Sequence, residues 1–307
     1  MLQLIADGLV IGSVIALGAV GLTMTYALMR FSNFAHGELL TWGAYFALTL
    51  LSFFLAMSGL PAMQPLGPFS FGWPLLAALA GSALLTAVLA LLVDSLVFQR
   101  LQRRGAAIVL VMASFGVALA LRNLVMFTYG GVPEYFSREI QIAIRLVPRE
   151  VLGGMRITPD QLLVLALTAV TVVALHLFLS RTTTGRAMRA TAENPDLARV
   201  AGIDTRRIAR ITWIIGGVLA AIAGVFAGLT VQVRPGLGLD LLLPLFAAAI
   251  LGGIGNVYGA VVGGLIVGLA ESLSVPLVGA EYRAATAFAV LIAILLIRPT
   301  GLFGSRP

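Results

Sequence analysis

The chain has no cysteine and no lysine, and only two histidines. Without cysteine there is neither a disulfide framework nor a thiolate metal site. Without lysine there is no phosphate-cradling P-loop, whose lysine reaches the nucleotide phosphates, and no lysine Schiff base. The histidines form no HExxH pair, so that zinc-hydrolase pattern is missing too. No catalytic residue and no metal ligand is assigned. Charge is also scarce: 11% of the 307 residues are charged, against about 25% in soluble domains. That leaves little room for a soluble domain.

What fills the chain is apolar, with 60% hydrophobic residues and a mean hydropathy of +1.03. A membrane span needs roughly 20 apolar residues. Candidate spans are residues 4–29, 39–57, 75–98, 107–127, 161–179, 211–233 and 284–297. The run 239–275 is longer than one span and is interrupted at Gly252-Gly253-Ile254-Gly255-Asn256, as one broken helix or two short ones. The N-terminus lacks a basic n-region and a clear cleavage site, so it reads as the first span. The fold class is all-α: a polytopic integral membrane protein with about eight or nine transmembrane helices, and residues 1–307 as one transmembrane domain.

Arginine sets direction, because short basic loops stay in the cytosol. Arg100, Arg103 and Arg104 follow the third span, and seven arginines lie in 181–210 after the fifth. The loop 58–73 has no charge and carries Pro61, Pro65 and Pro68, which suits the outside, as does the loop of about 128–159. The N-terminus is then outside, and Arg298 and Arg306 put the C-terminus in the cytosol. That requires an odd number of crossings and favours nine. The formal charge of +7 suits loops beside anionic lipid. Arginines scattered between apolar spans do not make a nucleic-acid surface.

The segment 181–210 carries its own folding signals. Thr184 is placed to cap a short helix running to about Ala192. Asn194, Pro195 and Asp196 give an N-cap, an N1 proline and an acid in the first turn. Gly202 fits the position just past a helix end. Leu197, Val200 and Ala201 share one face, to be buried on this chain's own membrane end or in a partner's groove. Elsewhere, Thr158-Pro159-Asp160 starts one span, and Pro299-Thr300-Gly301 stops the last.

The segment TGRAMRATAENPDLARVAGID resembles the cytoplasmic coupling loop of branched-chain amino acid ABC transporter permeases. Arg30-Phe31-Ser32-Asn33-Phe34-Ala35-His36-Gly37-Glu38 and Leu251-Gly252-Gly253-Ile254-Gly255-Asn256-Val257-Tyr258-Gly259-Ala260 resemble the same family, in the same order. The likeness covers essentially the whole chain and is greatest to the shorter, H-type subunit. It implies an ABC importer permease fold in a bacterial inner membrane. It implies four kinds of partner: a second homologous permease, two cytosolic ATPase subunits, an amino-acid-binding protein outside, and membrane lipid. ATP is then bound by the partners, and this chain needs no cofactor. Gly185, Arg186, Ala187, Met188, Arg189, Asn194, Gly202 and Ile203 fall in the loop that meets the ATPase in this family.

Two groups are candidates for the translocation path or its gate. Asn33, His36 and Glu38 lie where the first span gives way to the second. Ionisable groups at membrane depth are functional candidates; the alternative is a cytosolic surface with capped helix ends. Gly252, Gly253, Gly255, Asn256 and Gly259 form the other group, since a broken helix exposes backbone groups to an amino-acid head group. The alternative there is close packing, as for the pairs Gly8/Gly12, Gly224/Gly228 and Gly264/Gly268. Asp94, Arg122, Glu271 and His176 read as structural. The rival function is an ion-coupled secondary transporter of amino acids or small amides such as urea. Such carriers place carboxylates in mid-membrane, yet 161–179 and 211–233 contain none and 4–29 has only Asp7.

Overall fold

The computed structural model describes residues 1–58, 64–102, 107–137, 141–148, 154–298 and 300–304. Arg103, Arg104, Pro299 and Arg306 lie outside these. The helices are α1 (Leu2–Met29), α2 (His36–Ser58), α3 (Trp73–Val93), α4 (Gln99–Gln102), α5 (Ala107–Tyr129), α6 (Pro159–Arg181), α7 (Thr183–Glu193), α8 (Pro195–Val200), α9 (Thr205–Thr230), α10 (Leu237–Gly252), α11 (Val257–Val278) and α12 (Arg283–Ile297). A π-helical turn, Asp94–Phe98, joins α3 to α4, so Trp73–Gln102 is one continuous rod. The protein is all-α, and among the described residues the exception is an antiparallel hairpin, β1 (Ile144–Val147) with β2 (Met155–Ile157), inside the loop 128–159.

Among the described residues, eight helices are long and apolar enough to cross a membrane. The apolar run 239–275 resolves into two helices, of which α10 is the shorter, at 16 residues. The chain alternates between two ends of the bundle. At the hairpin end, the Arg156 N–H donates to Gln3 Oε1 at 2.9 Å, and Glu134 bridges Val233. The other end carries α7 and α8. There the N–H groups of Leu302 and Phe303 donate to the Leu251 and Gly252 carbonyls at 2.8 and 3.2 Å. The start of α1 and the segment after α12 therefore lie at opposite ends.

Local chemistry sets the helix ends. Thr158 and Gln161 form a full capping box at the start of α6, with Pro159 at N1. This satisfies helix N–H groups that have no partner within the helix. Asp160 on the first turn accepts from the Ser70 N–H at 3.1 Å, from the Ser70 hydroxyl, and from Gln141 Nε2 at 2.7 Å. This knots the loop before α3 to the start of α6.

Packing centres on α1, which lies against α11, α9, α10, α2 and α6. Lipid is as apolar as leucine, so helices associate where small residues let backbones meet. Gly8, Gly12 and Ala16 of α1 face Gly264, Leu265, Gly268 and Leu269 of α11. A methyl group on Gly12 would sit 3.0 Å from the Leu265 Cα, and one on Gly268 would overlap the Gly12 backbone. Replacing Gly268 by Leu should therefore destabilise the protein by about 1–3 kcal/mol, the usual cost of overpacking. Gly131→Ala, which meets nothing within 4 Å, should stay within about 0.5 kcal/mol. Thermal unfolding in detergent compares the two, and equal melting temperatures would contradict the α1–α11 contact.

Candidate functional site

Three places hold the residues singled out in the sequence, beginning with α7 and α8. The cap of α7 is Thr182, not Thr184: its hydroxyl accepts from the Gly185 N–H at 2.9 Å. The extended backbone of Thr182 (φ −92, ψ 154) aims its side chain at the first turn, whereas Thr184 already lies inside the helix. Gly185 sits so close to Phe178 and Leu179 that a side chain there would collide with their backbone. The absence of one lets α7 fold back sharply from α6. Met188 is buried, Ala187 packs on the core, and Arg186 and Arg189 are exposed.

Asn194 ends α7 and caps α8, its Oδ1 accepting from the N–H groups of Asp196 and Leu197 at 3.1 and 3.0 Å. Gly202 takes a positive φ of 83°. Its N–H donates to Arg199 O at 3.1 Å and that of Ile203 to Ala198 O at 3.0 Å, a Schellman closure. Ile203 itself packs on the core. Asp204 then caps α9 through the Arg206 and Arg207 N–H groups, both at 3.0 Å. The sequence reasoning passed over this cap, although an acid two residues past a C′ glycine signals one. Leu197 and Val200 of α8 are left 65% and 86% exposed. None of the described helices of this chain covers them.

The second place is the α1–α2 turn. Arg30 ends α1 in the left-handed region (φ 56°), and its Nη2 donates to the Ala192 carbonyl at 3.0 Å, near the end of α7. The chain then tucks back into the bundle. His36 is fully buried, and its Nε2 bonds the Gly18 carbonyl at 3.0 Å. Gly18 lies about 16 Å back along α1 from Met29, so α2 begins deep inside the bundle. Asn33 is buried and accepts from the Ala35 N–H at 3.1 Å. Glu38 is buried within reach of Thr41, Arg122 and Asp240. A buried His36 and Glu38 do not sit at a surface capping helix ends. Arg30, which is exposed, does lie at such a place.

The third place is the break between α10 and α11. Gly252 and Gly259 press backbone to backbone, and Gly253 (φ 99°) packs on Gly304. The Gly255 N–H donates to Thr23 Oγ1 at 2.8 Å. Asn256 caps α11 by accepting from the Gly259 N–H at 3.0 Å, and its Nδ2 donates to the Phe303 carbonyl at 3.2 Å. Gly255 and Asn256 line a cavity of about 700 Å³ that also touches Arg30, Arg189 and Glu193. The structure thus gathers one end of the break, the end of α1 and the end of α7 around one space. It leaves Asn33, His36 and Glu38 deeper in the bundle. In the same region His176 Nδ1 pairs with the Tyr258 hydroxyl at 2.8 Å.

Asp94 is buried in the π-helical turn and accepts from Gln99 Nε2 at 2.6 Å. The sequence reading passed over one charged group. Arg234 Nη2 and Asp240 Oδ2 form an ion pair of 2.8 Å at the start of α10, next to Arg122 of α5. The signal was present as two opposite charges flanking Pro235-Gly236 before an apolar run.

The chain is similar to several known proteins. A family described as the branched-chain amino acid transport system permease component matches residues 4–297. This chain belongs to that permease family. The "High-affinity branched-chain amino acid transport system permease protein BraD" of Pseudomonas aeruginosa is 36% identical over 312 residues, covering 100% of this chain and 96% of its own. The corresponding protein LivH of Escherichia coli (strain K12) is 33% identical, with the same coverage. A probable LivH of Methanocaldococcus jannaschii is 29% identical over 98% of this chain and 92% of its own. Among solved structures, PsaBC from Streptococcus pneumoniae in complex with Fab aligns over 96% of this chain at a TM-score of 0.49 and 13% identity.

The permease is therefore a multi-pass membrane protein whose α10–α11 break is held by side-chain caps. Asn256→Ala removes both the α11 cap and the tie to Phe303, and it should destabilise the permease by about 0.5–2 kcal/mol. Melting of the purified protein in detergent checks this, and no change would mean the cap is satisfied some other way.

Proposed function

We propose that this chain is the transmembrane permease subunit of an ATP-driven importer of branched-chain or related amino acids. It lines the path together with a second, homologous permease. Two cytosolic ATPase subunits supply the energy, and one of them grips α7 and α8. A binding protein delivers cargo at the hairpin end. The N-terminus faces outside, and the arginine-rich end faces the cytosol of a bacterial inner membrane. Gly185, Arg186, Ala187, Met188, Arg189, Asn194, Gly202 and Ile203 act as the coupling element, and the α10–α11 break adjoins it.

The observation that carries this reading is the exposed apolar pair of α8. A six-residue helix held by a cap at each end is stiff, and Leu197 and Val200 project from it uncovered. Helix-in-groove docking is a recurrent way to bury such a face. Exposed Arg186 and Arg189 flank it on α7. Arg30 ties the end of α7 to the α1–α2 turn, so a displacement of α7 reaches the membrane helices directly. The match to a transport permease family over residues 4–297 supports the importer over an ion-coupled secondary carrier.

Leu197→Asp combined with Val200→Asp should abolish amino-acid uptake and the co-purification of an ATPase subunit, with membrane insertion unchanged. Uptake in whole cells, with affinity purification and mass spectrometry in mild detergent, reads both effects. Normal uptake by the double variant would remove α8 from the coupling interface.

A further inference from the structure

We infer that the place where Arg122 of α5 meets the start of α10 is a station for a zwitterionic amino acid: Arg122 takes the carboxylate, Asp240 takes the ammonium, and the apolar side chains beside them take the hydrocarbon part. The inference rests on the proposed import function and deepens it by locating the cargo.

The charged end is assembled from three helices at a depth well inside the bundle. The start of α10 meets the start of α2 there: the Gly238 N–H donates to Thr41 Oγ1 at 2.9 Å. Gly236, the residue before α10, faces Asp240 Oδ2 and Arg122 Nη2. A methyl group on Gly236 would lie 3.5 and 3.9 Å from them. Asp240 also pairs with Arg234, and the two side chains are 50% and 49% exposed. An ion pair so open does not face hydrocarbon, where charge is costly; it faces water or a polar partner.

Two groups at this place have unmet bonding capacity. Among the described residues Arg122 makes no hydrogen bond and no ion pair within 4 Å. Its guanidinium has a fork of donors suited to a carboxylate. Glu38 is 3% exposed, its Oε2 has no hydrogen-bond partner, and it lies within electrostatic reach of Arg122 and Asp240. A carboxylate meets Arg122 beside the positive end of α10, and the half-exposed Asp240 is open to an ammonium group. The mixed charge fits a molecule carrying both signs better than an anion or a cation alone.

Below the charges the same two helices turn apolar. Phe115 and Leu119 precede Arg122 at helical spacing on α5. Leu243 and Phe246 follow Asp240 on α10 at steps of three. Phe115, Leu119 and Leu243 are exposed. Phe34 lies beside them, with its ring 6.1 Å from Phe115 and 5.0 Å from Phe246. A charged head region above an apolar body is the complement of an amino acid with a hydrocarbon side chain.

The test uses the complete transporter in cells, with radiolabelled leucine as the probe. Arg122→Gln removes the fork. Gly236→Leu inserts a side chain between Arg122 and Asp240 from a backbone position (φ −87°) that any residue adopts. Each should lower initial uptake by about tenfold or more, the effect of losing a charge-assisted hydrogen bond. Membrane level and ATPase co-purification should be unchanged. A leucine bearing a diazirine, photolysed on the wild-type transporter during turnover, should label peptides within 107–129 or 237–252. This readout decides the matter even if a variant fails to fold. Wild-type uptake by both variants, or labelling confined to other segments, overturns the station and leaves the importer standing. A wild-type transporter that imports no amino acid overturns both.

Discussion

Everything in this bundle depends on backbones meeting where side chains are absent. Hydrocarbon gives apolar helices no reason to prefer one another to lipid. Helix α1 is nonetheless held on its flank by α11, because Gly12 and Gly268 bring the two main chains into contact. The same device recurs where the chain is interrupted. Gly37 at the start of α2 lies against Gly238 at the start of α10, so close that neither tolerates a Cβ. Two helix beginnings thus meet inside the bundle. Helix-start N–H groups have no partner within their own helix and require one from elsewhere; that of Gly238 is met by Thr41.

That meeting point explains why charge collects beside it. A helix that starts inside the bundle brings its positive end with it, and the residues leading into it must come too. Arg234 and Asp240 bracket the start of α10, and Arg122 reaches it from α5. Glu38 follows from the other helix start, one turn into α2. None of these groups could be placed together by hydropathy. Each reads, in its own stretch of sequence, as one charge near the edge of an apolar run.

The division between what the sequence discloses and what it withholds follows from range. Caps are local chemistry, so Thr158 with Pro159, Asn194 with Pro195, and Gly202 could be read directly. Thr182 was missed for Thr184 because three consecutive threonines offer the same side chain. Only the backbone turn out of α6, permitted by Gly185, chooses among them. The span limits were legible from apolar length. The depth of His36 was not, since its bond to Gly18 depends on a turn that folds back along α1. Nor was the seal on the α10–α11 break, where the Gly252 carbonyl accepts from Phe303, some fifty residues on.

These non-local ties also determine what the coupling segment touches. The α7–α8 pair is stiff by local caps, but stiffness alone moves nothing. Arg30 supplies the connection: it ends α1 in a left-handed conformation that costs an ordinary residue about 1 kcal/mol or more. It is held there with its guanidinium on the carbonyls that close α7. The six residues that follow run to His36 and into the helix start that abuts α10. The end of α7 is thereby joined to the α2–α10 junction through a short, packed stretch of chain: Phe31 lies on Phe98, Phe34 on Phe246, and Asn33 and His36 are fixed by buried hydrogen bonds. In an importer of the proposed kind, an ATPase-driven movement at α7 would reach the start of α10 across the six residues from Phe31 to His36, which hydrogen bonds hold at both ends.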